Sequence, residues 1–216
     1  MPDLNQPVLE KVTAFITRGV GATQEVLVFQ HPSAGTQLPA GTVEEGEDIE
    51  AALWREVREE TGLTDLALLA NLGGETVTLP PAKRVLLRTV SMLSDPAAAS
   101  PAVGLTLRRG LWVSETASRG GWSQVRFEEY KAQGAAPIVS GATTGWIPSD
   151  ALTARVVRHF FHLEARSPTP ARWHCEGEVD YEFALYWAPL AHDPGLVSGQ
   201  AEWLAHYRER LQQHVG

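Results

Sequence analysis

The chain has 216 residues, 44% of them hydrophobic and 20% charged, enough apolar material for one large domain or one domain carrying an insertion. Eighteen Lys and Arg against 26 Asp and Glu leave a net charge of −8, which excludes a protein that coats DNA or RNA through a basic face. A small anionic substrate stays open, because a divalent cation reverses the local field. No apolar run reaches the ~18 residues of a membrane span, and Met1 to Glu10 lacks a basic start followed by an apolar stretch. The single Cys175 cannot form an internal disulfide, and no Cys/His spacing suggests zinc. These features predict a cytoplasmic chain with no membrane contact.

In chain order, Lys11 to Thr17 alternates as a strand, Gly19 and Gly21 mark a turn, and Glu25 to Phe29 returns as a second strand. A Gly- and Pro-punctuated loop is expected from His31 to Gly46. Asp48 to Thr61 is the clearest helix, with Ile49, Leu53 and Val57 four apart, Asp48 as N-cap and Gly62 as stop. Strand-like stretches follow at Leu66 to Leu72 and Arg84 to Met92, with Ser94 to Gly104 expected as loop. Leu107 to Val113 and Gln124 to Phe127 flank Gly120-Gly121 and predict a hairpin. Ala132 to Thr144 reads as a small-residue, flexible stretch. Val156 to Leu163 and Tyr181 to Trp187 read as buried strands, and Glu202 to Val215 as an amphipathic helix.

The helix 48–61 carries an unusual charge pattern. Projected at about 100° per residue with Ile49 at 0°, the apolar stripe centres near about 40°, Glu60 falls near about 20°, Glu56 near about 340° and Glu59 near about 280°. Arg58 points away from the stripe. An ordinary amphipathic helix solvates its acids on the opposite face. Three acids beside the buried stripe repel one another while partly desolvated, at a cost of several kcal/mol if uncompensated. Oxygen-binding divalent cations relieve that conflict.

Gly41, Glu47, Arg55, Glu56, Val57, Glu59, Glu60, Gly62 and Leu63 fill every defined position of G-x5-E-x7-R-E-U-x-E-E-x-G-U, where U is a bulky aliphatic residue. The segment therefore resembles the Nudix box, and the preceding Leu38-Pro39-Ala40 resembles its usual entry. The resemblance implies an α/β fold, a Nudix-type α/β/α sandwich around a mixed β-sheet. It also implies hydrolysis of a nucleoside diphosphate linked to another moiety (a nucleotide sugar, an ADP-ribose-like compound or a nucleoside triphosphate), with Mg²⁺ or Mn²⁺ as cofactor. By position, Glu59 and Glu60 are metal ligands, Glu56 is a further ligand or the base that activates water, and the Gly41 carbonyl is an additional ligand. Arg55 and Glu47 pair to hold the loop and orient the catalytic carboxylates; the same pair also serves as a simple ion pair at the helix entry.

Nudix domains are usually shorter than this chain. One domain over 1–216, with a β-rich subdomain inserted at approximately 76–150, accounts for the difference; the alternative is that Arg84 to Met92 is a regular strand and the chain ends in an extension. The acids of the stretch His174 to Glu182 either mark a half-exposed strand start or, as in many family members, supply a late acid to the site, for which Glu178 and Asp180 are candidates beside Glu176. Trp173 is a candidate for stacking a nucleobase, with core packing as its alternative. Arg108, Arg109, Arg158 and His159 are candidate phosphate contacts or surface charges.

The expected partner is a small-molecule nucleotide, with no nucleic acid polymer; homodimerisation is compatible with the family. A catalytically silent domain that senses a nucleotide is the second reading. The complete acid set argues against it. Isoprenoid diphosphate isomerisation, a third reading, wants a paired cysteine and acid that one cysteine does not provide.

Overall fold

Strand β1 (Leu9–Arg18) is buried on both faces over its length from Val12 to Thr17. Its Val12, Ala14 and Ile16 enter one core while Phe15 enters another on the opposite face. The computed structural model describes residues 7–32, 34–133, 136–176, 182–197 and 199–213. They divide into two compact units, one built from described residues within 11–74 and 158–213, the other from those within 7–10 and 75–157.

In the first unit β1 is followed by β2 (Glu25–His31), β3 (Gly35–Gln37), β4 (Ala40–Thr42), α1 (Ile49–Thr61) and β5 (Leu66–Thr78). The second unit holds β6 (Lys83–Leu86), β7 (Val90–Leu93), β8 (Ala102–Leu107), β9 (Trp112–Arg119), β10 (Trp122–Gln133), β11 (Ala136–Pro148) and β12 (Leu152–Thr153). The chain then returns through β13 (Arg155–Ala165), β14 (Arg172–Glu176), β15 (Glu182–Pro189) and α2 (Gln200–Gln213).

The sheet of the first unit runs β14-β15-β2-β1-β13-β5, with β3 paired to β2 and β4 to β1. β1 and β2 are antiparallel. β1 and β13 run the same way: Arg158 bonds to Thr13, and four residues on in both strands His162 bonds to Thr17. The sheet is thus mixed. Ala52, Leu53 and Val57 of α1 pack on the face of Val12, Leu27, Phe161 and Leu185. Leu204, Tyr207 and Leu211 of α2 cover the other face, against Phe15, Val28 and Phe160. The result is the α/β/α layering implied by the box.

Phe160 centres the second face, with ring centroids 4.9 Å from Tyr207, 5.4 Å from Trp203 and 6.2 Å from Phe15. Helix α1 starts where Asp48 accepts bonds from the Glu50 and Ala51 amides at 2.9 and 3.3 Å. It stops at Gly62, whose φ of 70° closes an N–H bond back to the Arg58 carbonyl.

In the second unit the sheet order is β12-β6-β9-β10-β11-β7-β8, over a core that includes Leu86, Met92, Leu107, Val125 and Ile147. The hairpin expected over Gly120-Gly121 is present between β9 and β10, both glycines having positive φ as a mirror-type two-residue turn requires. Several boundaries differ from expectation. Leu107 to Val113 is not one strand but the end of β8, a turn at Gly110 and the start of β9. Arg84 to Met92 breaks into β6 and β7. Two stretches expected as loop, 94–104 and 132–144, contribute to β8 and β11, because cross-strand pairing with β7 and β10 overrides their small-residue composition. The 31–46 loop contains β3 and β4.

Among the described residues no helix is long and apolar enough to cross a membrane. Phe160→Ala is expected to cost about 3–5 kcal/mol of stability, read as a fall in the denaturant midpoint at unchanged slope.

Candidate active site

Four residues of β4 and the loop before α1 face four residues of the helix. Arg55 lies at their centre. A guanidinium offers five N–H donors, and all five are used. Nε and Nη2 grip both oxygens of Glu47 at 2.9 Å each, a bidentate pair. Nη1 donates to Glu56 Oε1 at 2.8 Å and to Glu59 Oε2 at 3.1 Å, and Nη2 also donates to the Thr42 carbonyl at 3.1 Å. The cluster resolves the charge conflict posed by the helix projection without leaving these acids bare. Glu60 is held separately: its Oε2 accepts from the Ala40 amide at 2.8 Å.

Gly41 lies against Glu56 so closely that a Cβ there would overlap the carboxyl group. Only hydrogen leaves room for that carboxylate beside the strand. The Glu47 oxygen that meets Arg55 Nη2 also accepts from the Glu44 amide at 2.9 Å, which ties the loop to the same hub. Glu56 and Glu47 side chains are 15% and 16% exposed, whereas Glu59 is 38% exposed and presents the open edge of the cluster.

The electrostatics follow. Three carboxylates share one guanidinium, so the cluster stays net negative even before Glu60 is counted. The bond from Arg55, more than any other influence, holds the Glu47 carboxyl below the ordinary glutamate range, and its acids raise Arg55 in turn. Such a site attracts cations and repels phosphate. Its donors are hard carboxylate oxygens on one helix turn, together with the Gly41 and Thr42 strand whose close approach to Glu56 forms a cradle. That set suits Mg²⁺ or Mn²⁺, with Glu56, Glu59, Glu60 and the Gly41 carbonyl as candidate holders. Among the described residues no three such side chains converge as a preformed cage; Mg²⁺ characteristically takes one or two carboxylates and completes its shell with water and substrate phosphates.

Trp173 on β14 packs on the α1-face core, its Nε1 donating to the Thr61 carbonyl at 2.9 Å and its ring 6.3 Å from Trp187. Cys175 lies near the Glu59 carbonyl, and burial, with Glu176 and Glu60 adding to it, pushes its thiol pKa up. Glu178 and Asp180 lie outside the described residues. Two contributors had no side-chain signal to find them by: the Ala40 amide and the Thr42 carbonyl are backbone groups, placed only by the pairing of β4 with β1.

Residues 9–95 match the NUDIX domain family. RNA pyrophosphohydrolases from two strains of Caulobacter vibrioides are 47% identical to this chain over 53 residues, 24% of this chain and 31% of theirs. The match thus spans about a third of those relatives' length. A Caenorhabditis elegans Ap4A hydrolase in a binary complex aligns with a TM-score of 0.46 at 13% identity, over 94% of this chain and 98% of that one. The NUDIX domain of Shewanella oneidensis NrtR complexed with ADP ribose gives 0.43 at 16%, over 98% and 93%.

Two outcomes are expected at this hub. Gly41→Ala forces Glu56 off Arg55 with little harm to the fold, costing about 1–3 kcal/mol as an overpacked site while divalent-cation affinity, measured by calorimetry, falls. Glu47 has a depressed pKa, so its stabilising effect is complete above its ordinary value of 4.5 and is lost as pH falls through the lower folded-state value. Thermal melts across acid pH should therefore show wild type above Glu47→Gln at neutral pH, with the gap closing as pH drops below 4.5.

Proposed function

We propose that this chain, whose residues 9–95 match the NUDIX domain family, hydrolyses the phosphoanhydride of a nucleoside diphosphate linked to another group. The observation that carries this reading is the net-negative hub in which Arg55 of α1 gathers Glu47, Glu56 and Glu59, with Glu56 packed on Gly41 and Glu60 bonded to the neighbouring Ala40 amide. A phosphoanhydride cannot approach these carboxylates unless a cation intervenes. Mg²⁺ or Mn²⁺ supplies that cation when bound, neutralising the phosphates and lowering the pKa of water.

The chain's own residues do the rest. Glu59 and Glu60 would hold the ion, with Glu56 and the Gly41 carbonyl as further candidate ligands. Arg55 fixes the directions of Glu56 and Glu59, and Glu47 fixes Arg55, so both are positioning residues. Water adds to one phosphorus, the P–O bond to the bridging oxygen breaks, and that oxygen leaves with the other phosphoryl group while a proton is released. The products are a nucleoside monophosphate and a phosphorylated remainder. Residues 75–157 are, in this reading, a β-rich subdomain inserted into the NUDIX domain.

Turnover across nucleotide sugars, ADP-ribose-like compounds and nucleoside triphosphates, with Mg²⁺ and with Mn²⁺, tests the proposal. Metal-dependent turnover of one class is expected, reduced roughly 100-fold or more in Glu59→Gln. Nucleotide binding with no turnover in wild type would overturn it in favour of a sensing domain.

A further inference from the structure

Arg158 contrasts with Arg55. It lies on β13, on the face that α2 covers, where Phe160 and His162 are its neighbours at alternate positions. Its guanidinium overhangs β1: Nη1 donates to Thr13 Oγ1 at 2.7 Å and more weakly to the Val12 carbonyl at 3.4 Å. The flat face rests on the Trp203 ring, with Cζ 4.5 Å from its centroid. Among the described residues no carboxylate pairs with Arg158, and Nε and Nη2 have no hydrogen-bond partner. Neither atom is sealed from solvent. Burial pushes the pKa down to about 10. A largely buried cation with its bidentate edge open is costly for the fold unless an anion meets it.

Its position says which anion. Thr13 pairs in register with Ala40, whose amide holds Glu60. Two residues along the same face of β1, Lys11 donates to Thr42 Oγ1 at 3.0 Å. Carboxylates therefore gather on the α1 side of β4, while Lys11 and Arg158 bond to residues of β4 and of its neighbour β1 on the α2 side. A metal-bound polyphosphate needs both, since its ion is held by acids and its remaining charge by cations.

We infer that Arg158 binds a phosphoryl group of the nucleotide through its Nε–Nη2 edge, held in place by Thr13 and Trp203, and so selects ligands carrying at least a diphosphate over neutral nucleosides. The inference rests on the proposed nucleotide ligand but not on its hydrolysis. With metal removed by chelator, the acids repel phosphate, and the advantage of a diphosphate must come from cations.

Calorimetric binding of ADP and of adenosine in chelator, to wild type, Arg158→Met and Arg158→Lys, tests it. Wild type should prefer ADP by about tenfold or more, the worth of one charge-assisted bidentate contact. Arg158→Met should lose that preference while adenosine binding is unchanged, and Arg158→Lys should retain only part of it. Inorganic pyrophosphate should displace ADP from wild type if phosphoryl groups alone are recognised. An ADP-to-adenosine ratio in folded Arg158→Met equal to wild type overturns the inference. If the Met variant melts below the assay temperature, an undiminished ratio in Arg158→Lys overturns it instead. Arg158-dependent preference in a wild type that turns over nothing overturns hydrolysis and keeps this site; turnover with an unchanged ratio in the variants does the reverse.

Discussion

The five hydrogen bonds of Arg55 are the interaction on which the candidate site depends, because they convert mutual repulsion among acids into a fixed geometry. Each acid alone would turn toward water. Bound to one planar cation, Glu47, Glu56 and Glu59 are instead spaced by the guanidinium's own shape, and the Thr42 carbonyl locks that cation to the strand. An ammonium group in its place has three donors and no plane, so it could not space three carboxylates and a carbonyl at once. The caps of α1 serve this arrangement, since Asp48 and Gly62 fix where the helix begins and ends and hence which residues face β4.

A site so arranged is selective by sign. Its net negative charge makes cation capture favourable and direct phosphate contact with these carboxylates unfavourable. The opposite face of β1 has the complementary bias, with Lys11 and Arg158 projecting beside Thr42 and Thr13. Gly41 of β4 is where the Glu56 carboxylate comes closest to the strand.

Helix α1, both of its caps and the four box acids were legible in the sequence because each rests on local rules: period, cap chemistry and a dense motif. The Glu47–Arg55 pair was legible as well, but Arg55's reach to Glu56, Glu59 and Thr42 was not, since it depends on how β4 sits against the helix. Strand β11 was hidden by its alanines, glycines and threonines; it exists because β10 offers a long complementary edge, a nonlocal fact. Trp173 shows a different limit. An aromatic residue near acids suits either a ligand or a core, and its bond to the Thr61 carbonyl and its packing against the α1-face core depend on contacts far apart in sequence. Arg158 carried a faint signal, a charge on the same strand face as Phe160, whose meaning needed Thr13 and Trp203 beside it.

The chain leaves its first unit after Gly74 and re-enters it at Arg158, and these two points adjoin: β5 and β13 are sheet neighbours, and a Cβ on Gly74 would lie 3.2 Å from the Arg158 carbonyl. A departure and return so close together resemble the stem of a long hairpin. Whatever is strung between them, whether a two-residue turn or a seven-stranded sheet, begins and ends at the same pair of adjoining strand positions. Helix α1 and every residue of the Arg55 hub lie outside this excursion in the sequence, so the length of the excursion and the make-up of the candidate site are set by separate stretches of chain.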